Sequence, residues 1–449
     1  MRKVKVKIQP IRMKKALEIW DSDETPLAKT AWVKGPKKPR DVLRSKEIPP
    51  EDVSLDALKR KGLVEVLEPI EIRKVEDVVK IPEDVDAILI GDSEDWFAEN
   101  NILEKLVLLN KPLLVEWDNW GYSIHGRISK LRFNKYSKAK RYFTMGADEV
   151  LSLIKALRGH RFIKTMKVLY IGDFPSHSVA VGSQISLEYL NKRFGVEFIK
   201  LTLEDYLKEI EEISDEKVED VVKEWKERFI IRDNREKTLH IYAKTYKALK
   251  NMLRKHNANA ITVDCAALPE IEYVPCLAYS LLIDEGIPCG CEADLPALFA
   301  MAMLMGVSSK PVLMGNLNEN ATHMDIENNI VVVNHDVLPP SLACPACKIA
   351  LRDYHATAKG VTPYAELIEE LPVTLVGMHW DMDKVWVTTG KVVWTEDTTH
   401  CRVSIGVKVD NAKKVSKDAF SHHVVMTYGN YVKELRLLSE LIEIEFTLI

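Results

Sequence analysis

A chain of 449 residues, 46% hydrophobic and 29% charged, has room for two or three domains with a core in each, which excludes a peptide hormone, a disulfide miniprotein or one small binding module. Its 63 Lys and Arg against 67 Asp and Glu leave a net charge of −4, so it lacks the global positive field that draws chains to nucleic acid or anionic lipid. Charges interrupt every apolar stretch of the opening MRKVKVKIQPIRMKKALEIW, no window reaches the roughly 18 apolar residues of a membrane span, and seven cysteines fit reduced thiols better than a disulfide framework. The expectation is a cytoplasmic protein with neither a membrane nor a nucleic-acid partner.

The first 80 residues are less regular than the rest, and the basic VKGPKKPRD of residues 33–41 reads as an exposed loop or arm. Beyond them, short apolar runs alternate with helical patterns, the signature of βα units and a mostly parallel sheet. Strands are expected at DAILIGDS (86–93), KPLLVEW (111–117), MKVLYIGD (166–173), VEFIKL (196–201), NAITVDC (259–265), KPVLMGN (310–316) and NIVVVNH (329–335). Helices are expected at LEDYLKEIEEI (203–213), VEDVVKEWKERF (218–229), YVPCLAYSLLIDEG (273–286) and LPALFAMAMLMG (295–306). A new doubly wound unit begins at Met166, where a charged helical stretch gives way to a buried strand.

After His335 the pattern changes. The connection LPPSLACPACK (338–348) leads into VTLVGMHW (373–380), KVWVTTGKVVW and HCRVSIGVKV (400–409), runs rich in β-branched residues, as in an antiparallel sheet or barrel. HHVVMTYG (422–429) and the helical YVKELRLLSELIEI (431–444) follow. The expected domains are residues 1–165, 166–345 and 346–449, an α/β organisation with two doubly wound domains and a mostly antiparallel, barrel-like third.

Neither GxGxxG after a strand nor GxxxxGK[ST] occurs, so nucleotide binding lacks its usual support; GxSxG and HExxH are missing too. The turn GDFPSHSVAVGSQ (172–184) stands at a strand's carboxyl end, where ligands of open α/β sheets bind, and reads equally as an ordinary turn capped by Asp173 or Ser176.

Four places join ionisable side chains to strand ends. In CGCEADLPAL (289–298), Glu292 and Asp294 precede a helix opening with Leu295 and Pro296, where carboxylates bind a cation or cap the helix. In MGNLNEN (314–320) a buried strand runs into Asn316, Asn318 and Glu319; in NHD (334–336) His335 closes an apolar run; and His422–His423 open a late strand. The spacing Cys344-Pro-Ala-Cys347 suits redox or zinc chemistry, with Cys289 and Cys291 as two further thiolates, although structural cysteines account for it as well.

The order CEADL, MGNL, VVVNH, a late HH and the YGNYVKELRLLSELIEIE helix resembles the L-fucose isomerase/L-arabinose isomerase superfamily over residues 166–449, and VTLVGMHWDMDKVWVTTGKVV and CRVSIGVKVDN strengthen the likeness. The resemblance implies two Rossmann-like domains before a mostly antiparallel β domain. It also implies a divalent metal, usually Mn²⁺, with Mg²⁺ or Co²⁺ as substitutes, and interconversion of unphosphorylated aldoses and ketoses through an enediolate. By position, Glu292 becomes metal ligand and proton-transfer group, His423 a metal ligand, and His422 and His335 substrate contacts. The second metal-binding carboxylate falls on Asn316, and the Cys that commonly follows the strand-end histidine is Asp336 here. An Asn316 amide oxygen binds an ion but brings no charge and carries no proton, so the second proton-transfer role passes to Glu319, Asp294 or Asp336, or is lost.

Members of this superfamily are homo-oligomers, commonly hexamers, with active sites near subunit interfaces, so the resemblance implies a hexamer or trimer with a small-molecule sugar as substrate. Trp120 in EWDNWGY (116–122) and Trp96 in DSEDWF (92–97) are then expected sugar contacts. Arg402 is expected to reach a sugar hydroxyl or an anionic substituent. The competing expectations are a homologue that binds sugar or metal without isomerising it, and an isomerase of a sulfonated or deoxy sugar.

Overall fold

The computed structural model describes residues 4–13, 55–90, 100–116, 131, 142–145, 150–174, 185–317 and 325–449. The chain separates into two compact units at Arg161 and Phe162.

The first unit carries a parallel sheet of β1 (Val6–Met13), β2 (Val64–Val66), β3 (Ile70–Ile72), β4 (Ala87–Ile90), β5 (Leu113–Glu116) and β6 (Tyr142–Met145). Its order is β2-β1-β4-β5-β6, with β3 also on β1. The expected strands at 86–93 and 111–117 become β4 and β5. Of the first 80 residues, the described 4–13 and 55–80 hold β1, β2 and β3, and in β1 the charged Lys7 and Arg12 stand among buried residues. Val6, Ile8, Ile11 and Met13 are buried while the Lys7 ammonium reaches Asp84 at the surface. Ile11, Ile72, Ile88, Ile102 and Leu106 belong to the core of this unit. Residues 33–41, Trp96 and Trp120 lie outside the described residues.

The second unit opens with β7 (Lys167–Ile171) and β8 (Glu197–Leu201), followed by the two-residue β9 (Ile230–Ile231). β10 (Ala260–Val263) and β11 (Cys289–Gly290) complete a parallel sheet of order β11-β10-β7-β8. The expected helices are present as Leu203–Glu211, Glu219–Arg228, Cys276–Asp284 and Leu295–Ser308. Ser186 and Thr202 cap two helices through their hydroxyls, as their residue types predict. In Leu295–Ser308 every residue from Leu295 to Val307 is buried, the mark of a helix enclosed on all sides. It packs against β11 at its start and against two barrel strands along its length.

The remaining strands are β12 (Leu313–Leu317), β13 (Ile330–His335), β14 (Ala350–Arg352), β15 (Thr362–Tyr364), β16 (Pro372–Met378), β17 (Lys384–Asp397), β18 (Val403–Val409), β19 (His423–Tyr428) and β20 (Glu445–Leu448). Six of them close an antiparallel barrel, β16-β19-β12-β13-β18-β17, through the pairing of β16 with β17. β20 joins β17 in parallel, and β14, β15 and β9 form a small separate sheet. Leu313, Val333, Leu375, Trp386, Ile405 and Met426 belong to the barrel core.

Two expectations need correction. KPVLMGN and NIVVVNH were expected in the parallel sheet, yet β12 and β13 pair antiparallel with each other, with β19 and with β18. A strand buried on both faces reads as the same apolar run in either sheet, and only its partners tell the two apart. The barrel therefore takes strands from the segment 313–335 as well as from the last hundred residues. Cys344 and Cys347, expected as reduced thiols, are joined in a disulfide, which leaves no zinc-binding pair there; Cys265, Cys276, Cys289, Cys291 and Cys401 stand outside any disulfide. Among the described residues no helix is long and apolar enough to cross a membrane.

Candidate active site

β11 ends at Gly290, where an added Cβ would meet Leu298 Cβ at 3.0 Å and Asp294 O at 3.1 Å. Only glycine lets the strand end approach the following helix so closely. Glu292 and Ala293 then take φ of +57° and +54°, a left-handed conformation that costs a residue bearing a side chain roughly 1–2 kcal/mol. Such strain collects where a side chain has to be aimed. Asp294 follows as N-cap of Leu295–Ser308, its Oδ1 accepting from Ala297 N at 2.8 Å. Its other oxygen, Oδ2, lies 2.6 Å from His423 Nδ1. Asp294 thus caps the helix with one oxygen and holds His423 with the other.

The barrel supplies the imidazoles. His423 opens β19 directly opposite Asn316 of β12, so both side chains stand on one face of the sheet. His335 closes β13, and its ring lies 5.7 Å from that of His423. The two rings are held in opposite tautomers. A carboxylate only accepts, so Asp294 fixes the His423 proton on Nδ1 and leaves the lone pair of the neutral ring on Nε2. A backbone amide only donates, so Asp336 N, 2.9 Å from His335 Nδ1, puts the His335 proton on Nε2. Burial, reinforced by the neighbouring His423, pulls the His335 pKa down to about 3, so the ring stays a neutral N–H donor.

The Glu292 carboxylate faces both rings: Oε1 is 3.9 Å from His335 Nε2, and Oε2 is 3.9 Å from His423 Nε2. These gaps exceed a hydrogen bond. The gap to His423 suits two donors sharing one ion, because ligands about 2.0–2.2 Å from a common cation stand about 3–4 Å apart, whereas His335 faces Glu292 with an N–H. Glu292 remains partly exposed at 27%, against 5% for His335 and 1% for His423, so the carboxylate is the part of the group open to an incoming molecule. Cys291, Glu292 and His335 also bring their donor atoms within 4.8 Å of one another. The residues present therefore fit a divalent cation held by Glu292 and His423, with Asn316 beside them.

The other expected residues are placed as follows. Asn316 is buried, and its Nδ2 donates to Cys401 Sγ at 3.7 Å. Of the acids that might replace the missing carboxylate, Asp294 serves His423 and the helix cap. Asp336 accepts from Arg402 N at 2.9 Å and lies 2.7 Å from His355 Nε2, and Glu319 and Asn318 lie outside the described residues. The Arg402 guanidinium is hydrogen-bonded within the protein: Nε donates to Asp353 O at 2.9 Å, Nη1 to Thr398 O at 3.0 Å and Nη2 to Asp353 Oδ1. Its burial made this internal use predictable, since a buried guanidinium needs fixed partners. His422 is exposed, with its ring 4.9 Å from that of His423. In the turn 172–184 only residues 172–174 are described; Tyr170 donates to Asp173 O at 3.3 Å. Sequence reasoning missed His355 and Cys401, because turns 46 residues apart in sequence meet only once the barrel has closed.

The family described as the L-arabinose isomerase central domain matches residues 168–309. Over 130 residues the chain is 28% identical to L-arabinose isomerase of Thermotoga neapolitana, a match covering 28% of this chain and 26% of that protein. The chain thus matches about a quarter of that relative's length. The family match takes in Glu292 and Asp294 and ends before β12.

Proposed function

The chain is arabinose/fucose isomerase-like through its central segment, and from that premise we propose that it is a metal-dependent aldose-ketose isomerase acting on a free, unphosphorylated sugar. The observation that carries this reading is the Glu292 carboxylate facing His335 Nε2 and His423 Nε2 at 3.9 Å each, with His423 held by Asp294.

Glu292, His423 and Asn316 would hold the ion. Oxygen donors with one imidazole suit Mn²⁺, with Mg²⁺ or Co²⁺ as substitutes. When bound, a divalent cation stabilises negative charge on adjacent sugar oxygens. Glu292 takes the proton from the carbon beside the carbonyl, leaving an enediolate, and returns it to the neighbouring carbon. His335, neutral and with its proton on Nε2, donates a hydrogen bond to a sugar oxygen without competing for the moving proton. Residue 316, an amide, carries no proton, so transfer between the two sugar oxygens falls to another group. The same reading carries a homo-oligomer, a hexamer or trimer, with Trp120 near the sugar.

A second reading, a homologue that binds metal or sugar without turnover, is favoured by the Asn316 amide, whose Nδ2 faces the Cys401 sulfur. Proton NMR in D₂O with Mn²⁺ and a panel of aldoses and ketoses decides between them. Product carrying deuterium beside the carbonyl supports isomerisation by proton transfer, and Glu292→Gln is expected to slow it by roughly 10²–10⁴-fold. Full turnover in Glu292→Gln would overturn the assignment, and binding of sugar without interconversion would favour the second reading.

A further inference from the structure

A second group of donor atoms lies on the Cys401 side of Asn316. His355 comes from the short turn Tyr354–Ala356 after β14, and His400 and Cys401 come from the connection between β17 and β18. Their donor atoms all lie within 4.8 Å of one another. Cys401 Sγ is 3.5 Å from His400 Nδ1 and 3.8 Å from His355 Nε2. A tetrahedral ion with Zn–S of about 2.3 Å and Zn–N of about 2.0–2.1 Å sets its sulfur and nitrogen ligands about 3.6 Å apart, between those two values. Asp336 Oδ2 lies 2.7 Å from His355 Nε2, beside the group.

The surroundings are built around this group. His355, Ala356 and Ala358 all take positive φ, at +49°, +56° and +58°, although none is glycine. The strained turn is pinned from both ends: Ala358 N donates to Asp353 Oδ2 at 2.7 Å, and Asp353 Oδ1 accepts from Arg402, the neighbour of Cys401. One buried ion pair thus ties the turn of His355 to the turn of Cys401. The His355 ring is further held by stacking on Tyr354, with centroids 3.8 Å apart and planes 10° apart. The amide N–H of Asn316, directed at the same sulfur, favours a thiolate there, whereas a carboxylate at position 316 would repel it.

We infer that His355, His400 and Cys401 form a second metal site for a zinc-class cation, separate from the group of Glu292 and His423. Thiolate and paired imidazoles select zinc or cobalt, while the oxygen-rich group of Glu292 suits Mn²⁺. On binding, the Cys401 thiol proton passes to solvent and its sulfur lone pair bonds to the ion, while His355 binds as the Nδ1–H tautomer through the lone pair on Nε2. The inference goes beyond the isomerase reading and stands whether or not that reading holds.

The test is cobalt substitution of the full chain after chelator treatment. The expected result is a thiolate-to-cobalt charge-transfer band with the intense visible absorption of a tetrahedral ion, saturating at one equivalent. Cys401→Ser removes the charge-transfer band. His400→Ala, at an exposed position whose substitution leaves the fold in place, weakens cobalt binding by at least tenfold. Glu292→Gln retains the band, which separates failure of this site from failure of the isomerase reading. A wild-type chain without the band, or a band surviving in Cys401→Ser, would overturn the proposal; the Cys265 and Cys291 sulfurs, 3.5 Å apart, would then be the source of any surviving band.

Discussion

The parallel sheet and the barrel of the second unit contribute to the candidate site in different ways. The parallel sheet ends in a strained turn, and its carboxylates, Glu292 and Asp294, stand at a helix start where unpaired N–H groups favour negative charge. The barrel offers His335, Asn316 and His423 on strands paired on both sides, so their positions are fixed by ladder hydrogen bonds. The sheet thus sets its carboxylates on a turn, and the barrel sets its imidazoles on strands held by ladder hydrogen bonds.

The joint between the two halves is the buried helix Leu295–Ser308, and truncating it has the largest expected effect on stability. Leu298, fully buried against Gly290, should cost about 2–5 kcal/mol as Leu298→Ala. Thermal unfolding checks this, and a loss below 1 kcal/mol would mean that the halves do not depend on that packing. Asp294→Ala is expected to remove a helix cap at about 0.5–2 kcal/mol. It should also loosen His423 enough to weaken Mn²⁺ binding by about 10–100-fold. Calorimetric titration reads the second effect separately, and an unchanged affinity would show that the His423 tautomer is fixed by something else.

The smallest effect belongs to the first unit, which serves as a contrast. Asp77 accepts from the backbone N–H groups of Arg73 and Lys74 and pairs with Lys80, which is the largest influence holding its carboxyl down at about 2. Because its folded pKa is lowered from 3.8, its stabilisation is fully present above pH 3.8 and is lost as pH falls toward 2. Asp77→Asn should therefore melt below wild type at pH 6, by about 0.2–1 kcal/mol, and converge with it near pH 2. Parallel curves at both pH values would contradict this.

The sites were legible in the sequence where a strand end carries its own donor. Glu292, His335 and His423 each follow or open a run whose burial is plain from its apolar residues, and the structure brings all three together. What escaped was partnership across distance. The apolar runs of β12 and β13 say that they are buried but not that they pair with β18 and β19, and Lys7, Gln9 and Arg12 of β1 hid an internal strand behind polar residues. Arg402 read as a free cation because its partner Asp353 is 49 residues away, and His355 gave no signal because its neighbours His400 and Cys401 belong to another turn.

The clamp of His423 on Asp294 joins residues 129 positions apart. At a synthesis rate of about 5–20 residues per second, the acid waits roughly 6–26 s for the histidine that completes its hydrogen bond. During that interval β12 has no β19 to pair with, and its apolar face is an unsatisfied edge. The candidate site is therefore among the last features to exist as the chain is made, and a nascent chain stalled before residue 423 holds Glu292 and Asp294 without the histidine that pairs with Asp294.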